Sequence, residues 1–297
     1  MIPWGWGRMT STTGRRRTVL AFAVAAALTG VAACGYPEPG EGGGDDPFAA
    51  LKLADRSTGD ADSSRIESTG DMGDLMSFEA NGEVDWADGL NGRLTITYTG
   101  GQAADRMGRL GITSTEARYL PDAYYADMGD LFAGQYGGKR WIRYAYEDLD
   151  EMIGGASGAY AREHFESVTP NQSVRLLLAS GDVEKVGEED VRGERTTHYA
   201  GTVDVAGIQE RNTHLGEGAR AELEEQLKAS GITTADIDLW INGDDLLVKK
   251  VEKADTANGV VNSTVHYSDY GTAVSTEEPP ADRTVDYTDL MSSLPAS

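Results

Sequence analysis

The chain has 297 residues, a formal net charge of −23 at pH 7, and 49 acidic against 26 basic side chains. A surface that acidic repels phosphate backbones, which excludes nucleic-acid binding, and it offers anionic headgroups no general attraction. One cysteine in the whole chain excludes an intramolecular disulfide and a thiolate metal cluster, so stability has to come from a buried core.

The first residues divide by chemistry. Arg15, Arg16 and Arg17 form a cationic segment, and Val19 to Ala33 is an apolar run. That run is shorter than the roughly 20 apolar residues a bilayer core demands, and it has the length of a signal-peptide h-region. Val31-Ala32-Ala33-Cys34-Gly35 follows and resembles the bacterial lipobox. The resemblance implies acylation of Cys34, removal of residues 1–33 and lipid anchoring on the extracytoplasmic face of the cell membrane. Several acyl chains hold durably where one holds marginally. Residues 1–33 carry four arginines and no acid, so their loss takes the charge from −23 to −27. Arg16-Arg17-Thr18-Val19-Leu20 resembles a twin-arginine signal, although arginine runs also occur in ordinary n-regions, and both export routes stay open. Met9 is an alternative start to Met1. Abundant Ala, Gly and Arg point to a GC-rich genome and so towards an actinobacterium.

Residues 34–46, rich in Gly, Pro and acid, read as the acylated cysteine and a flexible linker. Residues 47–272 read as one domain long enough for a sizeable core, and residues 273–297 as a loose, acidic, Pro-containing tail. Within the domain, strands are expected at 77–86, 93–99, 117–127, 139–146, 183–191, 195–205, 237–242, 246–254 and 259–270, from their β-branched and aromatic content and period-two alternation. Asp88-Gly89 and Gly243-Asp244 sit where hairpin turns belong. Helices are expected at 48–56, 160–168, 170–179 (with Thr169 as N-cap and Pro170 first) and 218–230, where Ala219, Leu223 and Leu227 share a face. Short links between strands imply antiparallel pairing. The fold class is therefore α+β: a large curved antiparallel sheet, an open half-barrel, with helices packed on its concave face.

Five segments together are similar to the LppX and LprG group of actinobacterial lipoproteins. They are Lys139-Arg140-Trp141-Ile142-Arg143, the helix from Pro170 to Leu178, Gly187 to Gly193 with Thr196 to Asp204, Asp238-Leu239-Trp240-Ile241, and Leu246 to Lys250. Their order spans most of residues 47–272. The resemblance implies a fold like the LolA and LolB carriers and a role in binding and transferring lipid or lipoglycan in the cell envelope.

Catalytic signatures are weak. His164, His198, His214 and His266 have no metal-ligand spacing. Gly155-Ala156-Ser157-Gly158 is a small-residue linker and not a nucleophile elbow. The pairs Asp236/Asp238 and Glu188/Glu189 lie in no calcium-loop pattern. No enzyme, metal or cofactor is expected. The expected site is apolar: Val174, Leu176, Leu177, Leu178, Leu223 and Leu227 on helices, with Trp141 and Trp240 on strands, lining a cavity for acyl chains at about 0.8 kcal/mol per buried methylene. The same residues suit a filled helix-on-sheet core, which would make the domain an envelope sensor or protein-interaction module with a partner the sequence does not name.

Overall fold

Eleven of the twelve described strands pair with a strand that directly precedes or follows them in strand order. The structure, a computed structural model, describes residues 46–148, 169–204, 234–256 and 259–293. Its strands are β1 (Ser63–Asp71), β2 (Ser77–Asp85), β3 (Asn91–Gly100), β4 (Ser114–Leu120), β5 (Ala123–Asp127), β6 (Trp141–Ala145), β7 (Glu184–Val191), β8 (Glu194–Asp204), β9 (Thr234–Asn242), β10 (Leu247–Thr256), β11 (Gly259–Ser268) and β12 (Thr284–Asp286). They form one sheet in the order β12-β6-β5-β4-β3-β2-β1-β11-β10-β9-β8-β7. Every pairing is antiparallel except β12 with β6, and the sheet is not closed. The described helices are α1 (Pro47–Gly59), α2 (Gly101–Arg109), α3 (Gly129–Gln135), α4 (Gln172–Ser180) and α5 (Tyr287–Ser293).

Most elements follow from local chemistry. Asp46 caps α1 by accepting the Phe48 N–H at 3.0 Å, with Pro47 in the first turn, where its missing N–H costs nothing. Gly181, at φ +76°, closes α4 in the left-handed conformation that favours glycine. The register puts Ile66, Gly82, Leu94, Ala117, Ala126 and Ile142 in one row across six strands. That row faces the helices. At one end Leu51 and Ala54 of α1 and Val174 and Leu177 of α4 pack on Tyr199, Val203, Ile237, Leu239, Ile241, Leu247 and Tyr267. At the other, Leu290 of α5 packs with Ala126, Met128 and Ile142.

The β7–β8 hairpin bends over the opposite, outer face. Arg192 at its tip reaches Glu67 of β1 at 2.9 Å, and β8 and β1 lie four strand spacings, about 19 Å, apart in a flat sheet. Only a strongly coiled hairpin closes that gap, and Val191 accordingly packs on Trp240 and Val248.

Five sequence expectations need correction. Residues 117–127 are two strands and not one, because Pro121-Asp122 turns the chain between β4 and β5. The central strand β1 was not anticipated. Its inner positions are Ser64, Ile66, Ser68 and Gly70, too small and polar to alternate visibly. Helices α2 and α3 were also missed: α2 buries no residue and α3 has only seven. Helix α4 starts at Gln172, because the Asn171 side chain turns away to bond Asp55 at 2.7 Å and the Thr169 carbonyl accepts the Gln172 N–H at 3.0 Å. Finally, residues 273–293 are not a loose tail. Thr284–Asp286 pairs in parallel with β6, Arg143 bonds Asp286 at 3.0 Å, and Leu290 is buried. Three apolar side chains, Val285, Tyr287 and Leu290, suffice to dock it. The expected helices 160–168 and 218–230 lie outside the described residues.

Candidate functional site

The inner wall between the two helix-covered ends is built from small residues. Across β1 to β4 the register aligns Ser68, Ala80, Ile96 and Thr115 in one row, and Ile66, Gly82, Leu94 and Ala117 in the next. With Gly92 on the same face, the floor of this strip is Gly, Ala, Ser and Thr, its raised points are Ile66, Leu94 and Ile96, and the Phe78 ring, lying over Gly70, closes it at one end. A row of tyrosines borders it. Tyr119, Tyr124 and Tyr144 are cross-strand neighbours, with ring centroids 5.2 and 5.6 Å apart, and Tyr144 stacks on Tyr287 at 5.1 Å. Burial, reinforced by Tyr98, pushes the Tyr119 phenol up to about 12, and burial does the same to Tyr144. These rings stay neutral at physiological pH and present apolar faces. Sequence reading missed this row. Its signal was the Tyr119…Tyr124 spacing around the Pro121-Asp122 turn, which pairs the two rings once the hairpin is recognised.

Of the expected cavity-lining residues, the four on α4 gather in one cluster and the two tryptophans lie elsewhere. Val174 and Leu177 are fully buried in the close-packed cluster under α4, with Leu176 and Leu178 packed against its edge. Trp141 belongs to a separate cluster with Leu120, Ala123 and Tyr125, on the outer face, where Arg118 lies 4.7 Å from its ring centroid. Trp240 is also outward, in the cluster with Val191 and Val248. The reason is strand alternation: Ile142 next to Trp141, and Leu239 and Ile241 beside Trp240, take the inward positions. Leu223, Leu227 and Cys34 lie outside the described residues.

A second polar group sits beneath α4. Ser173 Oγ donates to Glu252 at 2.6 Å, while Lys250 Nζ donates to Ser173 at 2.9 Å and to Glu252 at 3.3 Å. Burial pushes the Glu252 carboxyl up, but Lys250, Ser173 and Ser263 outweigh it, so the group sits below its ordinary value. Here an ion pair is tucked into an otherwise apolar interface.

On the outer face His198 stacks on Trp240 with centroids 4.2 Å apart, and its Nε2 lies 2.7 Å from Asp238. Lys249 Nζ covers the other ring approach at 3.8 Å, and the indole N–H donates to Glu189. The imidazole's partners are carboxylates, an arrangement that pins the strand. Of the expected acid pairs, Asp238 serves His198 and Asp236 accepts from Thr202 at 2.9 Å. Among the described residues, no three His, Cys, Asp or Glu gather as a metal site, and no helix is long and apolar enough to cross a membrane. The described residues also form polar grooves. One, of about 260 Å³, is lined by Asp55, Arg56, Asn171 and Arg175 among others. Another, of about 360 Å³, lies on the outer face between Arg65, Glu67, Arg192 and His266.

The chain is similar to an uncharacterized 31.2 kDa protein encoded in the rplA–rplJ intergenic region of Streptomyces griseus, at 51% identity over 246 residues, covering 82% of this chain and 80% of the relative. It is 44% identical over 314 residues to a Streptomyces coelicolor protein whose name classes it provisionally as a lipoprotein, covering 96% of this chain and 99% of that one. Among solved structures it resembles the Mycobacterium tuberculosis lipoprotein LppX, with 16% identity, a TM-score of 0.46, and coverage of 77% of this chain and 98% of the other. No family model matches the chain.

Proposed function

Because the chain belongs to the actinobacterial family of these two Streptomyces proteins, we propose that it is an envelope lipoprotein, anchored through acylated Cys34 on the extracytoplasmic face, that binds lipid or glycolipid without catalysis. The observation that carries this reading is the strip of small inner-face residues across β1 to β4. It is apolar at Ile66, Leu94 and Ile96, and the tyrosine row borders it. An acyl chain laid along such a trough gains burial with every methylene, and the neutral tyrosine rings add apolar wall. The headgroup stays in water. Transfer is passive, with the linker setting the domain's reach.

The test is purification without detergent from a related host, followed by mass spectrometry of extracted lipid. Stoichiometric lipid is expected. Ser68→Phe, which fills the trough at a half-buried position, is expected to lower recovery about tenfold, by displacing one to two methylenes' worth of binding energy. Recovery of no lipid from folded protein would contradict the proposal. For the anchor, Cys34→Ser is expected to move the protein from the membrane to the soluble fraction, and unchanged retention refutes it.

A second reading has its own support. The cluster under α1 and α4 is filled, with Leu51, Leu177, Leu239 and Leu247 at 0% exposure. A domain packed that closely throughout would act through its surface as a protein-interaction module, and the lipid assay separates the two.

A further inference from the structure

The two ends of the sheet differ in chemistry. One end carries the β1–β2 turn around Gly73, the β10–β11 turn and the α2 and α3 connections. The other carries the β2–β3 turn around Gly89, the β7–β8 turn and the β9–β10 turn. At the Gly89 end the turns are polar: Asp88, Arg192, Asp244 and Asp245. At the Gly73 end Met72, Leu75, Leu131 and Val260 are exposed by 36%, 44%, 59% and 41%. Met72 and Val260 follow the Asp71–Asn262 pair at the same edge of the sheet. Gly101, the first residue of α2, abuts the backbone of Leu75, and Gly111 just beyond α2 abuts the Leu131 side chain. Thus α2 runs between the Leu75 turn and Leu131, and its last turn adds Arg106 and Arg109. The acids at this end include Asp71, engaged by the Gly73 N–H and the Ser77 hydroxyl, Asp130, paired with Arg140 at 2.6 Å, and Asp74 and Asp105.

The chain also leaves towards this end. Helix α1 is tied at the Gly89 end, where Trp86 Nε1 donates to the Gly59 carbonyl at 3.1 Å and the Leu247 N–H donates to Thr58 at 3.0 Å. Its 13 residues run back beside α4 for about 20 Å, which carries Pro47 towards the Gly73 end. Residues 35–46 separate Pro47 from Cys34, a contour of at most about 40 Å. Apolar tips exposed together at the end of the sheet that the tethered chain approaches are what an interfacial surface needs.

We infer that the Gly73 end of the sheet docks on the bilayer that holds the anchor, with Met72, Leu75, Leu131 and Val260 entering the boundary between headgroups and acyl chains. This rests on the acyl anchor proposed above. It places the trough's edge against the lipid source.

The test uses the full, acylated protein in vesicles of phosphatidylcholine with a minor share of phosphatidylglycerol. Acylated Cys34 offers no thiol, so Leu75→Cys, Val260→Cys and, at the opposite end, Asp244→Cys each take one environment-sensitive dye. Brominated acyl chains in the vesicles are expected to quench the dyes at 75 and 260 at least about fivefold more than the dye at 244, as interfacial burial of those tips requires. Equal quenching at all three positions in protein that floats with the vesicles refutes the docking surface and leaves the anchor standing. Protein that fails to float refutes the anchor and the docking surface together.

Discussion

Replacing Leu177 with alanine is expected to destabilise the domain by about 3–4 kcal/mol, the middle of the range for a fully buried leucine in a core that cannot collapse around the gap. Leu177 has no exposed surface. It sits where α4 meets the sheet, so closely against Gly201 that a Cβ added there would lie 2.8 Å from Leu177 Cδ1 and 1.8 Å from the Asp182 carbonyl oxygen. The glycine is therefore what lets the end of α4 approach β8, and the leucine fills the space made. Loss of its side chain leaves a void lined by Val174, Tyr199 and Leu239. For a domain of this size the change corresponds to a fall of roughly 10 °C in Tm. Leu131→Ala, at a position 59% exposed, is expected to stay within about 0.5 kcal/mol of the parent. Thermal and urea denaturation of both variants checks this, and a small effect at Leu177 would mean that α4 does not hold the sheet as described.

The second large effect concerns the ion pair beneath the same helix. Lys250→Met is expected to cost about 3 kcal/mol at neutral pH, because it strands the Glu252 carboxylate without its counter-charge. The pH dependence distinguishes this from lost packing. In the parent, the folded-state pKa of Glu252 is lowered, so the pair contributes stability above the ordinary glutamate range and loses it as pH falls through the lower, folded value. In the variant, burial acts without Lys250 and raises the folded value. Protonation then relieves the stranded charge, so the gap between variant and parent begins to narrow as pH falls through the variant's raised value, above the ordinary 4.5, and narrows further as the parent loses its pair below 4.5. A gap that stays constant with pH assigns the loss to packing alone.

Where strands alternate apolar and polar residues, as in Arg195–Val205, or end at an Asp-Gly turn, the sheet was legible, and the fold class followed from it. The strand that completes the sheet, β1, was hidden because its work is done by backbone pairing on both sides and its inner side chains are Ser and Gly. The site was less legible for the same reason. Bulky Trp141 and Trp240 drew attention as cavity walls, yet both point outwards, and the inner wall is made of residues whose smallness carries no pattern in a single sequence. Val174 and Leu177 were identified as inward apolar positions, which they are, but burial alone does not distinguish a lining from a filling. The docked C-terminal segment was misread because its acids and prolines outnumber Val285, Tyr287 and Leu290, although three spaced contacts and the Arg143 bonds fix it. Cys34, the only cysteine, stands out in the sequence where an apolar run ends, and it lies outside the described residues.

The central claim is that an acyl chain lies in the trough across β1 to β4. A phospholipid carrying a photoactivatable group in its acyl chain, incubated with the protein and irradiated, tests it most directly. Crosslinks are expected on residues 64–70 and 91–100, concentrated at Ile66, Leu94 and Ile96, and reduced in Ser68→Phe. Crosslinks confined to exposed positions such as Leu75 and Val260, unchanged by that substitution, would show that lipid meets this protein only at its surface.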